Sequence, residues 1–441
     1  MTQGTDRGTA MTRDGSVRRR TILVTGMVVG TVIAATTAVE AARPLGRLRG
    51  LWHGRKAGQT MNEVQRNRQT TTAAPTAAEF AVPTSRPFGT LPDGREARLY
   101  TLEVPGGWRA TITDYGGILT SMVVPRGNGA GPVDVALGFD SLDGYLAGHP
   151  YFGAICGRYS NRIAGGTFVL DGTTSTLAKN NGDNHLHGGL VGFDKKLWKA
   201  TPRRSDRGPA LDLEMTSPAG DEGYPGTLTV KATYTLTPAG ELWVEMHATT
   251  DAPTVLNLVN HSYWNLAGHG SGSVGGHELA VHADRYLPVD AGSIPTGEFA
   301  PVAETPFDFR PERSPWARIE PALLALPPEQ QPDTPRGVDH NFLVRGWQPD
   351  GQLRPAATVR DPASGLTLEV LTDQPGVQVY MGNFLDGTLT GKGGAVYRRN
   401  GGLCLETQKY PDTPHHADWP TARLDPGQTY RHVMVHRFST R

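Results

Sequence analysis

The feature that most limits what this chain can become is an alternation of apolar and polar residues with a period of two, recurring along the sequence beyond Phe88. Leu228, Val230, Ala232, Tyr234 and Leu236 alternate with mostly polar neighbours, Pro238-Ala239-Gly240 turns the chain, and Leu242, Val244, Met246 and Ala248 resume the pattern. Successive side chains on a strand point to opposite faces, so this pattern predicts an antiparallel hairpin with one buried face. Leu366, Leu368 and Val370 run through Asp373-Gln374-Pro375-Gly376 into Val377, Val379 and Met381, which predicts a second hairpin of the same kind. Ala110–Thr113, Leu279–Val281 and Val433–Val435 add further strands. No stretch holds a helical period over four turns, and Pro321–Leu326 predicts one short turn at most. Many short strands with loop-rich joints and no internal repeat predict an all-β domain over residues 87–441, a large antiparallel β-sandwich. A propeller or a parallel β-helix would need a visible repeat.

Composition agrees where it bears on the question. The chain has 55 glycines and 34 prolines but few helix-favouring runs. Its 43 basic and 43 acidic residues cancel, which removes any whole-chain electrostatic case for a nucleic-acid partner. Cys156 and Cys404 are its two cysteines, too few for a disulfide scaffold, so burial of a core must stabilise the fold.

The first 86 residues read differently. Arg18-Arg19-Arg20 precedes the uncharged stretch Thr21–Val39, with Thr21-Ile22-Leu23 after the arginines in a twin-arginine-like export pattern. Residues 1–42 are therefore expected to be an export signal, with a retained membrane anchor as the alternative. Residues 43–86, dominated toward their end by Thr, Ala, Gln, Asn, Arg and Pro, are expected to be a flexible linker. Either reading puts the β-domain outside the cytoplasm.

Polar residues concentrate in five segments: Gly157–Gly166, Asn184–Gly189, Asn260–Leu266, Gly337–Phe342 and Leu403–Gln408. In the last, period two sets Cys404 and Glu406 on one strand face and Leu403 and Leu405 on the other. A carboxylate in such an apolar run is costly unless a site uses it. His261 stands among Asn260, Ser262 and Tyr263, residues able to orient an imidazole. Two histidine groups suggest metal binding at first sight, His185 with His187 on one strand face and His415-His416 with Asp418. Neither brings the three or four converging ligands that zinc requires. The leucines around Cys404 indicate a buried, inert thiol.

Together with the flanking phrases Leu137–Tyr145, Asp284–Val289, Thr305–Arg310 and Gly382–Gly387, these segments resemble the aldose 1-epimerase family, in order and over essentially all of the chain from Phe88. The resemblance implies a β-supersandwich with a shallow sugar cleft and interconversion of the α and β anomers of free hexoses such as glucose and galactose. It implies Glu406 as the base and His261 as the acid of ring opening, and His187, Asn161, Arg162, Asp339 and Gln378 as residues that hold the sugar. Opening a hemiacetal takes one proton from the anomeric hydroxyl and gives one to the ring oxygen, so it needs no metal and no cofactor. The implied partner is a small aldose, with membrane contact only through a retained N-terminal segment. Trp264 stands where the family more often has Phe, which is expected to reshape the cleft wall.

Three alternatives remain. A hexose-6-phosphate epimerase would need cationic side chains at one end of the cleft. A secreted carbohydrate-binding protein without catalysis would not need both Glu406 and His261. A glycosidase would need two carboxylates flanking the bond, for which Asp339 and Glu406 are the evident pair.

Overall fold

A computed structural model describes residues 80–127, 129–311, 317–318 and 337–440. The expected signal or anchor, most of the linker, and the helical turn at Pro321–Leu326 lie outside the described residues. Strands dominate, and the only α-helix among the described residues is the five-residue Leu142–Leu146.

Three sheets carry the architecture. The first has five strands in sequence order, from Thr84–Thr90 through Glu96–Val104, Trp108–Thr113 and Leu119–Val124 to Val133–Asp134. Its first strand starts upstream of the boundary read near Phe88, with Thr84 opposite Thr101 and Phe80 already buried. The second has nine strands, ordered Lys199–Arg204, Pro209–Ser217, Leu228–Leu236, Glu241–Thr250, Tyr430–Thr440, Leu366–Thr372, Arg354–Arg360, Glu278–Val281 and Ala317–Arg318. The third has six, ordered Tyr263–Trp264, Leu403–Gln408, Gly376–Tyr380, Asp339–Leu343, Arg285–Tyr286 and Ala300–Pro301. All of their pairings are antiparallel, and one apolar core takes Leu102 and Ile112 from the first sheet, Val230 and Met434 from the second, and Val379 and Leu405 from the third.

The hairpin read at Leu228–Ala248 is present, with Leu236 opposite Leu242 across the turn; burial alternates along Glu241–Thr250, while Ala232–Leu236 is buried on both faces. The second expected hairpin is not. Leu366–Thr372 pairs with Arg354–Arg360 and Tyr430–Thr440 in the nine-stranded sheet, whereas Gly376–Tyr380 pairs with Asp339–Leu343 and Leu403–Gln408 in the six-stranded one. Asp373-Gln374-Pro375 is thus a crossing between layers. Asp373 anchors it by accepting the Val433 N–H at 2.9 Å, and Trp347 Nε1 donates to the Asp373 carbonyl at 2.8 Å. Gly376–Tyr380 is buried along its whole length, so it lacks the solvated face that a simple hairpin would give it.

Candidate active site

A cavity of about 210 Å³ lies over the face of the six-stranded sheet that turns away from the core. Alternation decides which side chains reach it. Leu403 and Leu405 enter the core while Glu406 faces the cavity, and Val377 and Val379 enter the core while Gln378 and Tyr380 face it. The register sets Gln378 opposite Glu406 on one side and Asn341 on the other, which brings Asp339 within reach. Gln378 Nε2 donates to Asp339 Oδ1 at 2.7 Å.

Loops close the other wall. Tyr151, Asn161 and His187 all adopt left-handed backbone angles, with φ of 62°, 61° and 51°. Non-glycine residues pay for that conformation, and such positions gather where geometry serves a site. Gly188 follows with φ of 88°, and a Cβ there would lie 1.8 Å from the Gly157 carbonyl oxygen, so only glycine fits. The Asn161 N–H donates to His187 Nδ1 at 3.2 Å, which leaves the His187 proton on Nε2 as a donor. Arg162 is held by Asn181, whose Oδ1 accepts from Nε at 3.0 Å.

All seven residues singled out in the sequence (Glu406, His261, Asn161, Arg162, His187, Asp339 and Gln378) line this one cavity. His261 Nε2 stands 3.5 Å from Glu406 Oε1, with the two side chains only 5% and 3% exposed. Burial raises the Glu406 carboxyl well above the usual range, and the Asp339 charge adds to it while Arg162 opposes. Burial lowers His261 to about 4, against opposing pulls from its own main chain and from Asp339. Burial also pushes His187 well below the ordinary imidazole value, so it stays neutral. Glu406 Oε2 and Gln378 Oε1 are buried without a hydrogen-bond partner among the described residues. Buried polar atoms normally have partners, and ligand hydroxyls at these two oxygens would supply them.

The sequence left several contributors unseen. Tyr151, Asn181, Tyr380 and Phe384 also line the cavity. The Tyr263 ring stacks on His261 at 5.1 Å and 22°, and Tyr151 stacks at 5.8 Å and 27°. Of the three neighbours expected to orient His261, only Tyr263 does so. Asn260 bonds Gly153 O and Tyr234 Oη instead, and Ser262 bonds Asn260. On the other side of His261, Nδ1 meets Cys404 Sγ at 3.6 Å, which sequence distance concealed. Both cysteines are free and buried.

Trp264 corrects the expectation of a reshaped cleft wall. It follows Tyr263 on a strand, so it points the opposite way, into the core against His436 at 4.9 Å and Phe438 at 5.4 Å. His185 and His187 do not share a face either, because the strand ends at Leu186 and His187 turns left-handed. His185 packs away from the cavity, with Nε2 2.6 Å from Tyr224 Oη. His415 pairs with Asp412 at 2.6 Å rather than with Asp418, and His416 stacks on Trp419 at 3.8 Å. Among the described residues, His261, Cys404 and Glu406 are the group whose ligand-type atoms come within 4.8 Å of one another. Their closest contacts are Cys404 Sγ to His261 Nδ1 and Glu406 Oε1 to His261 Nε2.

Comparison with known proteins adds an independent line. The aldose 1-epimerase family profile matches residues 98–437. The chain is 47% identical over 331 residues to galactose mutarotase from Bos taurus, covering 75% of this chain and 91% of that one. It is 38% identical over 349 residues to aldose 1-epimerase from Escherichia coli K12, covering 79% and 96%. Among solved structures it resembles galactose 1-epimerase from Lactobacillus acidophilus, with a TM-score of 0.70, 27% identity and coverage of 82% and 99%. An aldose epimerase homologue from C. elegans gives a TM-score of 0.68 at 30% identity, covering 77% and 98%.

Proposed function

The chain belongs to the aldose 1-epimerase family and interconverts the anomers of aldoses, and from that premise we propose that Glu406 is the base and His261 the acid of ring opening. The observation that carries this reading is the buried approach of His261 Nε2 to Glu406 Oε1 at 3.5 Å, on the wall of a cavity lined by hydroxyl-binding side chains.

The proton count closes. Opening starts from the carboxylate–imidazolium form of the pair, reached when Glu406 passes a proton to Nε2 of the otherwise neutral His261. Glu406 takes the proton of the anomeric hydroxyl while His261 gives the Nε2 proton to the ring oxygen, and the C1–O5 bond breaks to give the aldehyde. The pair is then a carboxylic acid and a neutral imidazole, holding the same number of protons as before. Burial disfavours both charged forms, raising Glu406 and lowering His261, and so favours this discharge. Rotation about C1–C2 and the reverse transfers close the ring on the other face. Neutral His187, through its Nε2–H, together with Arg162, Asn161, Asp339 and Gln378, holds the hydroxyls in register with the pair.

We assign free hexoses, galactose and glucose among them, as the substrates. Relatives named galactose mutarotase support the first. Arg162 is the only cationic side chain lining the cavity among the described residues, and its Nε is engaged by Asn181, which favours an uncharged sugar over a hexose 6-phosphate. Polarimetry on freshly dissolved α-D-galactose and α-D-glucose tests both points. Glu406→Gln and His261→Ala are each expected to lose on the order of 10² to 10⁴ in rate. Near-native mutarotation by either folded variant would overturn the assignment.

Location outside the cytoplasm is likewise proposed, supported by Arg18-Arg19-Arg20 ahead of the uncharged Thr21–Val39. Arg19→Lys with Arg20→Lys is expected to retain the protein inside its host cell. Secretion unchanged by that pair of substitutions would remove the support.

A further inference from the structure

Donation from Nε2 leaves His261 neutral, and that same nitrogen must recover a proton when the ring recloses. The neutral ring can do so only while its remaining proton stays on Nδ1. A neutral imidazole side chain in water favours the other tautomer, with the proton on Nε2, so something in the protein has to select.

Besides the main-chain carbonyl of His261 itself, the surroundings of its ring offer one side-chain candidate. Tyr263 and Tyr151 stack along the ring and fix its plane, so only its edges are free for hydrogen bonds. The Nε2 edge looks to Glu406 and the cavity. The Nδ1 edge looks to Cys404 Sγ at 3.6 Å, within hydrogen-bonding range for sulfur. The His261 carbonyl already accepts the Gly153 N–H at 2.9 Å. Cys404 is itself fixed, since it pairs with Tyr263 across the strands and has no exposed surface.

We propose that Cys404 is a positioning residue whose sulfur accepts the Nδ1–H of His261 and thereby keeps Nε2 as the nitrogen that exchanges protons with the ring oxygen. The inference rests on His261 being the acid. Burial, with the charges of Glu406 and Asp339 adding to it, raises the Cys404 thiol well above its ordinary range, so the group stays uncharged. That matters for the chemistry. A carboxylate in this place would stabilise the imidazolium and weaken it as an acid, whereas neutral sulfur orients the ring without making the proton harder to release.

The test reads the tautomer directly and leaves activity as a second, separate readout. Two-bond ¹H–¹⁵N correlation spectra of the full chain, labelled at histidine, are expected to show neutral His261 with Nδ1 protonated and Nε2 bare. Cys404→Ala is expected to move the population toward Nε2–H and to lower kcat by roughly 10- to 100-fold, with KM changed less than about twofold. Cys404→Ser, which returns a hydroxyl oxygen to Nδ1, is expected to restore both. An Nε2–H tautomer in the wild-type protein would overturn the proposal without any variant having to fold. An unchanged tautomer in Cys404→Ala, or in Cys404→Ser the shifted tautomer expected of the alanine variant, would overturn it as well. Should His261 not be the acid, His261→Ala would keep its rate while the tautomer result stood, so the two failures are distinguishable.

Discussion

Glu406 pays in stability for its place in the cavity, and the sign can be worked out. Its folded-state pKa lies above that of the unfolded chain, chiefly through burial, so folding takes up a proton. Stability is then greatest below the unfolded value and falls as pH rises through the folded one. Glu406→Gln removes the ionisable group. It is expected to melt at a higher temperature than wild type at pH 7 to 8, with the difference shrinking toward pH 4, as differential scanning calorimetry across that range would measure. Asp339 acts on the pair from outside, raising both Glu406 and His261 by its charge. Asp339→Asn should therefore slide both limbs of the pH profile of kcat/KM toward lower pH, apart from any loss of sugar binding in KM. An unmoved profile would show that the charge of Asp339 is not felt at the pair. At this scale the seven residues that the sequence singled out, through motifs whose phrases are local, all come to line one cavity. The sequence did not name what fixes them, because Tyr151 and Cys404 meet His261 across long stretches of chain.

At the scale of the strand, alternation served well wherever one face meets the core and the other meets water or the cavity. Leu403–Gln408 shows it plainly, since Leu403 and Leu405 enter the core on either side of Cys404 and two residues of shift would exchange nothing while one would exchange everything. Leu405→Ala is expected to cost about 2–5 kcal/mol, the usual range for a fully buried leucine. It should also reduce kcat, because Glu406 is the next residue on the same strand; urea denaturation and polarimetry on one preparation would measure both. Alternation failed at Leu366–Met381. Two adjacent strands with a turn-like Asp-Gln-Pro-Gly between them look the same whether they pair or part. What separates them is partners 60 and 28 positions away in sequence, Val433 for the crossing at Asp373 and Glu406 for the second strand at Gln378. Trp264 was misjudged for a related reason, since identity said aromatic and only the parity of its strand said which side.

For the molecule as a whole, the β-domain was read to begin near Phe88, where composition changes and periodicity begins, and the first described strand is Thr84–Thr90. A chain beginning at Phe80, which is buried and precedes the strand Thr84–Thr90, is expected to unfold cooperatively and to keep full mutarotation. A large loss of activity on removing residues 1–79 would mean that they contribute to the site. The arrangement of the sheets was not legible, since strand order in a sheet is set by contacts that no local pattern records. One element of that order bears on how the protein comes into being. Tyr430–Thr440 lies in the interior of the nine-stranded sheet, between Glu241–Thr250 and Leu366–Thr372, yet it follows both of them in sequence. Until it emerges, the two halves of that sheet have no shared neighbour and their inner edges carry unpaired backbone groups. Closure of that sheet must therefore wait for Tyr430–Thr440, and a nascent chain stalled before it would expose two open strand edges to whatever else is nearby.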